Sequence, residues 1–276
     1  MNASKRKTSS VVLSEFEQLL KAKYSGTTPV NYLSHVKRFL EFTDNVPLRV
    51  NNEDLLNYNI HMVKSNVSDS YRNVAINAIK SYFDLYLKIK VKKIASIRPK
   101  KVKKLPRQIP HKLLVEKISN IKNTKAKLIL SLGYACGLRS AEVINLKLDD
   151  IDIEEGFIIV YGKGSKERIV PISLNIISLM ISYYEEYTPV EHLFNGRTNK
   201  REFKLKYSKG SILNLVKQNI GDYKFHDLRH SFSMRLYQKG TPIEKIQKLL
   251  GHKHLKTTQI YVDATQNMLL DIAMPM

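Results

Sequence analysis

The chain has 276 residues, with 46 Lys or Arg against 25 Asp or Glu, for a formal net charge of +21 at pH 7. That length accommodates two domains with their own cores, and a charge surplus of that size points to a polyanionic partner, foremost nucleic acid. The one cysteine, Cys136, excludes internal disulfides and fits a reducing cytoplasm. No apolar run approaches the ~20 residues that span a bilayer. The basic start MNASKRKTSS has no apolar segment behind it and does not read as a secretory signal.

Residues 1–10 read as a basic tail. The spacing then predicts a helix from near Ser10, with Val12, Leu13, Phe16, Leu19 and Leu20 buried. A second opens at Thr28-Pro29 and repeats Val30, Leu33, Val36, Phe39 and Leu40 at helical intervals. Asn52 is placed to cap a third, with Leu55, Leu56, Ile60 and Val63. A fourth runs from about Ser68 to Lys88, with Val74, Ile76, Ile79, Phe83 and Tyr86. These four make a small helical domain with no strand signal.

No acidic residue separates Asp84 from Glu116, and the interval between them carries 11 Lys or Arg. With Pro99, Pro106 and Pro110 it reads as a linker at about 88–106, extended by like charge and suited to lie along phosphates. The domains are expected at 1–104 and 105–276. In the second, helices are predicted at about 111–121 and 124–136, and Cys136 falls in a core run. Gly137 ends a helix, and Ser140 is placed to cap the next. FIIVY (157–161) and ERIVPI (167–172) flank GKGSK, a hairpin signature. Helices follow at about 173–187 and 211–219, separated by an irregular basic stretch.

The run Phe225–Tyr261 holds most of the reactive side chains. Phe225, Leu228, Phe232 and Leu236 recur on one helical face, leaving His226, Arg229 and Ser233 on another. Gly240 stops that helix, and Thr241, Pro242 and Glu244 carry the signature of a capping box that starts another. Gly251 ends this second helix and leaves His252 at its end.

Three chemistries compete for these residues. His226 with His230, and His252 with His254, have spacings that zinc accepts, but interleaved arginine makes a poor cation site and HExxH is absent. Gly162-Lys163-Gly164 lies between strands, not before a helix, so it lacks the helix N-terminus of a phosphate loop. A cationic phosphodiester site fits best. Arg139 and Arg229 can each grip phosphate oxygens through paired hydrogen bonds, and a lysine or histidine can protonate a leaving oxygen. Tyr261 can serve as nucleophile if the cations or a histidine activate it.

At these residues the chain resembles the tyrosine recombinase, or phage integrase, family in its compact two-domain form. The segments that carry the likeness are CGLRSAEVINLKLDDID (136–152), YGKGSKERIVPI (161–172), HDLRHSFSMRLYQKG (226–240) and LLGHKHLKTTQIYVD (249–263). The resemblance implies a mainly α fold with a small antiparallel sheet: a SAM-like helical core-binding domain followed by a catalytic domain. It implies that Arg139 and Arg229 bind phosphate, Glu142 supports them, and Lys163 protonates the leaving 5′ oxygen. His226 takes part in proton transfer with the nucleophile, and His252 hydrogen-bonds the scissile phosphate. Tyr261 attacks to give a 3′-phosphotyrosyl intermediate, with neither metal nor ATP as cofactor. His230 is structural by the same resemblance. Lys100, Lys101, Lys103, Lys104 and Lys166 are the candidate DNA-backbone contacts.

Partners implied are double-stranded DNA at specific recombination sites, a homo-tetramer on paired sites formed from monomers or weak oligomers, and accessory DNA-bending proteins. Met268, Leu269, Leu270 and Ile272 form a short tail suited to dock on a neighbouring subunit. Two alternatives stay open: relaxation of DNA by a type IB topoisomerase-like enzyme, and a DNA-binding regulator that keeps the fold without turnover.

Overall fold

The computed structural model describes residues 9–43, 47–92, 98, 107–162, 167–196 and 207–252. The chain divides into two compact units, Met1–Lys103 and Lys104–Met276. Among the described residues no helix is long and apolar enough to cross a membrane.

The first unit contains α1 (Ser9–Lys23), α2 (Thr28–Thr43), α3 (Asn52–Lys64) and α4 (Asp69–Tyr82), whose end widens into a π turn over Phe83–Leu87. Its core joins Val12, Phe16 and Leu20 of α1 to Val36 and Phe39 of α2, Leu55 of α3, and Ile76 and Ile79 of α4. Tyr82 is buried among them and donates its hydroxyl to the Pro47 carbonyl at 3.0 Å.

Two readings of α3 need correction. Asn51, not Asn52, is the cap: its side chain accepts from the Glu53 and Asp54 backbone N–H groups, and Asp54 answers at the Asn51 N–H. The buried stripe is Leu55, Tyr58, Asn59 and Met62, and Ile60 and Val63 are exposed. Tyr58 and Asn59 keep the i, i+3, i+4, i+7 positions facing the core, so apolar character alone misled. Val30 and Leu19 are likewise exposed.

In the second unit, α6 (Thr124–Ala135) is buried from Leu128 to Gly133. Around it stand α5 (His111–Ser119), α7 (Ser140–Asn145), α8 (Leu174–Tyr187), α9 (Lys209–Asn219), α10 (Phe225–Gln238) and α11 (Ile243–Leu250). Cys136 lies in this core, where burial pushes its thiol up to about 12.

The sheet has three antiparallel strands in the order β1 (Ile151–Asp152), β2 (Phe157–Tyr161) and β3 (Glu167–Pro171). The hairpin was legible in the sequence, whereas β1 is a two-residue strand that no alternation could signal. Ile158 pairs with Val170, and Val160 with Arg168. Directly opposed residues share a face, so Arg168 occupies the same core-facing side as Ile158, Val160 and Val170. Ile169, which a hydrophobic reading would turn inward, is 63% exposed.

Candidate active site

The site begins where α6 stops. Gly137 takes φ +64, which a side chain tolerates poorly, and a Cβ there would lie 2.4 Å from Phe232 Cδ1. This turn delivers Arg139, in extended conformation, to the position before α7. Ser140, expected as the cap, is instead the first helical residue. Capping runs the other way: Glu142 accepts from the Arg139 backbone N–H at 2.8 Å and from Arg139 Nη1 at 2.7 Å. The Arg139 side chain remains 35% exposed.

Arg229 departs from its expected place on an open helix face: it is 0% exposed. Ser231, Ser233 and Met234 are buried too, so α10 is enclosed nearly all round. Burying a guanidinium requires bonded partners. Arg229 Nη1 donates to the Gly137 carbonyl at 2.6 Å and Nη2 to the Leu250 carbonyl at 2.5 Å, while Nη1 stands 3.7 Å from Glu142 Oε2.

The end of α11 is closed by a left-handed Gly251, φ 62 and ψ 42. His252 N–H bonds the Gln247 carbonyl at 3.1 Å and Gly251 N–H the Lys248 carbonyl at 3.0 Å, the paired bonds of a Schellman turn. Gln247 Nε2 reaches the His252 carbonyl at 3.0 Å, so His252 is fixed from both sides. At the start of this helix Pro242 holds the cap position without a side-chain bond, and the expected Thr241 box does not form.

Sequence reasoning passed over Arg168. Its Nη1 and Nη2 donate to Glu142 Oε1 and Oε2 at 2.9 and 2.8 Å, and its Nε donates to the Leu249 carbonyl at 2.8 Å. The available signal was a charged residue at a core-facing strand position. Three guanidiniums thus converge on one buried carboxylate. The carbonyls at the negative end of α11 take part of the cationic load.

Electrostatics follow from this crowd. Burial alone would raise the Glu142 pKa, but bonds and charge from Arg168 and then Arg139 outweigh it and hold the carboxyl at about 2. Burial, then the charges of Arg229 and Arg139, lowers His252 to about 3. The same causes lower His226, although that residue remains solvent-exposed. Burial and then His226, whose ring lies edge-on at 4.5 Å, lower His230 to about 4. At neutral pH these imidazoles are uncharged: each presents one N–H donor and one nitrogen able to accept a proton.

The fold therefore gathers Arg139, Glu142, His226, Arg229 and His252, drawn from α7, α10 and the end of α11. Lys163, Lys166, Lys100, Lys101, Lys103, Lys104, His254 and Tyr261, with the Met268–Ile272 tail, lie outside the described residues. An arginine-rich, carboxylate-buttressed centre with neutral histidines suits an oxyanion whose charge grows during reaction.

Residues 106–268 match the phage integrase family, and residues 13–93 match the phage integrase N-terminal SAM-like domain. The tyrosine recombinase XerA of Thermococcus kodakarensis is 32% identical over 273 residues, covering 92% of this chain and 91% of that protein. The tyrosine recombinase XerC of Rickettsia canadensis is 32% identical over 289 residues, covering 92% of each. Among solved structures, the XerH site-specific recombinase in its pre-cleavage complex with difH substrate shares the fold. That likeness has TM-score 0.68 at 22% identity, over 94% of this chain and 84% of that one. The chain belongs to the phage integrase family.

Proposed function

We propose that this chain recombines specific DNA sites by two transesterifications at the Arg139–Glu142–Arg229 centre. The supporting observation is the geometry of Glu142, which draws Arg139, Arg168 and Arg229 to one point. Arg139 and Arg229 hold non-bridging oxygens of the scissile phosphate, and His252 adds a hydrogen bond. The Tyr261 oxygen attacks phosphorus, the P–O5′ bond breaks, and Lys163 supplies the proton to the leaving 5′ oxygen. The phenol proton passes to a base, for which neutral His226 is suited. A 5′ hydroxyl from the partner strand then reverses these steps, and the phosphotyrosyl bond conserves the energy of the broken link. No ATP or metal enters this scheme.

Double-stranded DNA is the partner; the Tn1549 transposon integrase, which is similar in fold, has been solved in complex with transposon right end DNA. The complex acts in the cytoplasm as a tetramer on paired sites, with the linker of residues 88–106 and its lysines along the backbone. Accessory DNA-bending proteins and docking of the Met268–Ile272 tail on a neighbour complete the assembly.

The test uses a duplex that the protein selects from a random-sequence library, nicked beside the cleavage point so that the cut strand diffuses away. A covalent protein–DNA adduct that disappears in Tyr261→Phe is expected. No adduct from the wild type, or an adduct that survives the substitution, defeats the reading. Exchange between two duplexes separates recombination from simple relaxation.

A further inference from the structure

Arg168 is a charged residue placed on the apolar face of a hairpin, and its side chain is only 8% exposed. Such a position is costly unless every donor is used well. Here the fork of the guanidinium meets both oxygens of Glu142, and Nε spans to the Leu249 carbonyl, three residues before His252. One planar group therefore joins β3 to the start of α7 and to the turn that carries His252. A Cβ on Gly251 would lie 3.1 Å from Arg168 Cδ, so the turn packs directly on this side chain.

Glu142 Oε1 is shared between Arg139 Nη1 and Arg168 Nη1, at 2.7 and 2.9 Å. With Arg168 absent, the buried carboxylate would draw Arg139 inward to replace the lost bonds. We propose that Arg168 is a positioning residue: by saturating Glu142 it leaves the Arg139 guanidinium directed to the scissile phosphate. This rests on the recombinase reading above.

The selected nicked duplex supplies the test, prepared with either a normal scissile phosphate or a neutral methylphosphonate at that link. Arg168→Met and Arg168→Lys are compared with wild type in single-turnover adduct formation. On the phosphate both variants are expected to slow the reaction by roughly 10–100-fold, less than loss of an oxyanion donor itself, with DNA affinity unchanged. Lysine fails because one ammonium cannot serve two carboxylate oxygens and a carbonyl in a plane. On the methylphosphonate, which lacks the charge that Arg139 meets, variants and wild type should react at similar rates.

Wild-type rates in both variants overturn the proposal. So does an equal loss on both substrates, which marks a packing defect, or a loss of DNA affinity that tracks the loss of rate. Should Arg168→Met fail to fold, Arg168→Lys retains the charge and carries the comparison alone. Failure of the wild type to form any adduct, or an adduct in Tyr261→Phe, removes the recombinase reading itself. That result differs from active wild type with insensitive variants.

Discussion

Arg229 Nη1 donates to the carbonyl of Gly137 at 2.6 Å, closing a contact between residues 92 apart in the chain. The same guanidinium holds the Leu250 carbonyl. Arg229 is therefore a structural clasp between the end of α6, α10 and the end of α11, besides its proposed grip on phosphate. Arg229→Ala should cost about 3–5 kcal/mol, as for breaking a buried charge network from one side. Urea unfolding measures it, and a loss below ~1 kcal/mol would mean that water replaces the clasp. Arg229→Lys should recover part of the stability but little cleavage, since one ammonium cannot replace the fork.

Gly137→Ala tests the turn that delivers Arg139. The new Cβ meets Phe232 at 2.4 Å and the backbone keeps φ +64. Strain at a positive φ and overpacking each cost roughly 1–3 kcal/mol. Adding Phe232→Ala should relieve the clash and leave the backbone strain, so the double variant should lose less than the sum of the two single losses. Strict additivity in urea midpoints would show that Phe232 does not confine this glycine.

The elements of this fold were legible because their signals are local. Helical spacing, the GKGSK hairpin and the glycines at 137, 240 and 251 act within a few residues. What escaped depends on distant partners. The spacing of Arg229 places it off the apolar stripe of α10, and nothing nearby announces the carbonyls of Gly137 and Leu250 that let it be buried. Arg168 is hidden in the same way, since its fork is matched by a carboxylate 26 residues upstream. Ile60 and Val63 show the converse: apolar side chains that the register of α3 turns outward. Glu142 entered only through family resemblance, because a glutamate three residues inside a helix start reads equally well as an ordinary cap.

Glu142 ties stability to acid pH. Its folded pKa, about 2, lies below the ordinary 4.5. Its contribution is therefore complete above pH 4.5 and is lost as pH falls toward 2. The shift corresponds to on the order of 3 kcal/mol. Wild type should exceed Glu142→Gln by about that amount at pH 6, and the gap should close near pH 2. A gap that stays constant with pH would show that the glutamine amide replaces the carboxylate fully.

His230 acts over a different window. Burial and His226 lower its pKa to about 4 from 6.5, so the unfolded chain takes a proton that the folded chain refuses. Its contribution is full above pH 6.5 and drains away as pH drops to about 4, with a slope of up to ~1 kcal/mol per pH unit after allowance for partial exposure. His230→Gln removes that proton uptake. The variant should gain on wild type between pH 7 and pH 5, read as a relative rise in Tm. Parallel pH curves for the two proteins would place the acid sensitivity elsewhere, with His252 the next group to test.

The charge surplus makes its own prediction. Each phosphate neutralised by Lys or Arg releases counterions, so log affinity should fall linearly with log salt by ~0.9 per contact. Replacing Lys100, Lys101, Lys103 and Lys104 together by alanine removes up to four such contacts and should flatten the slope by roughly 3–4. These lysines are proposed to meet phosphates and carry no sequence information, so the loss should be similar on the selected duplex and on random DNA. An unchanged slope would remove the linker from the DNA surface. A loss confined to the selected duplex would make these lysines readers of sequence instead of a strap along the backbone.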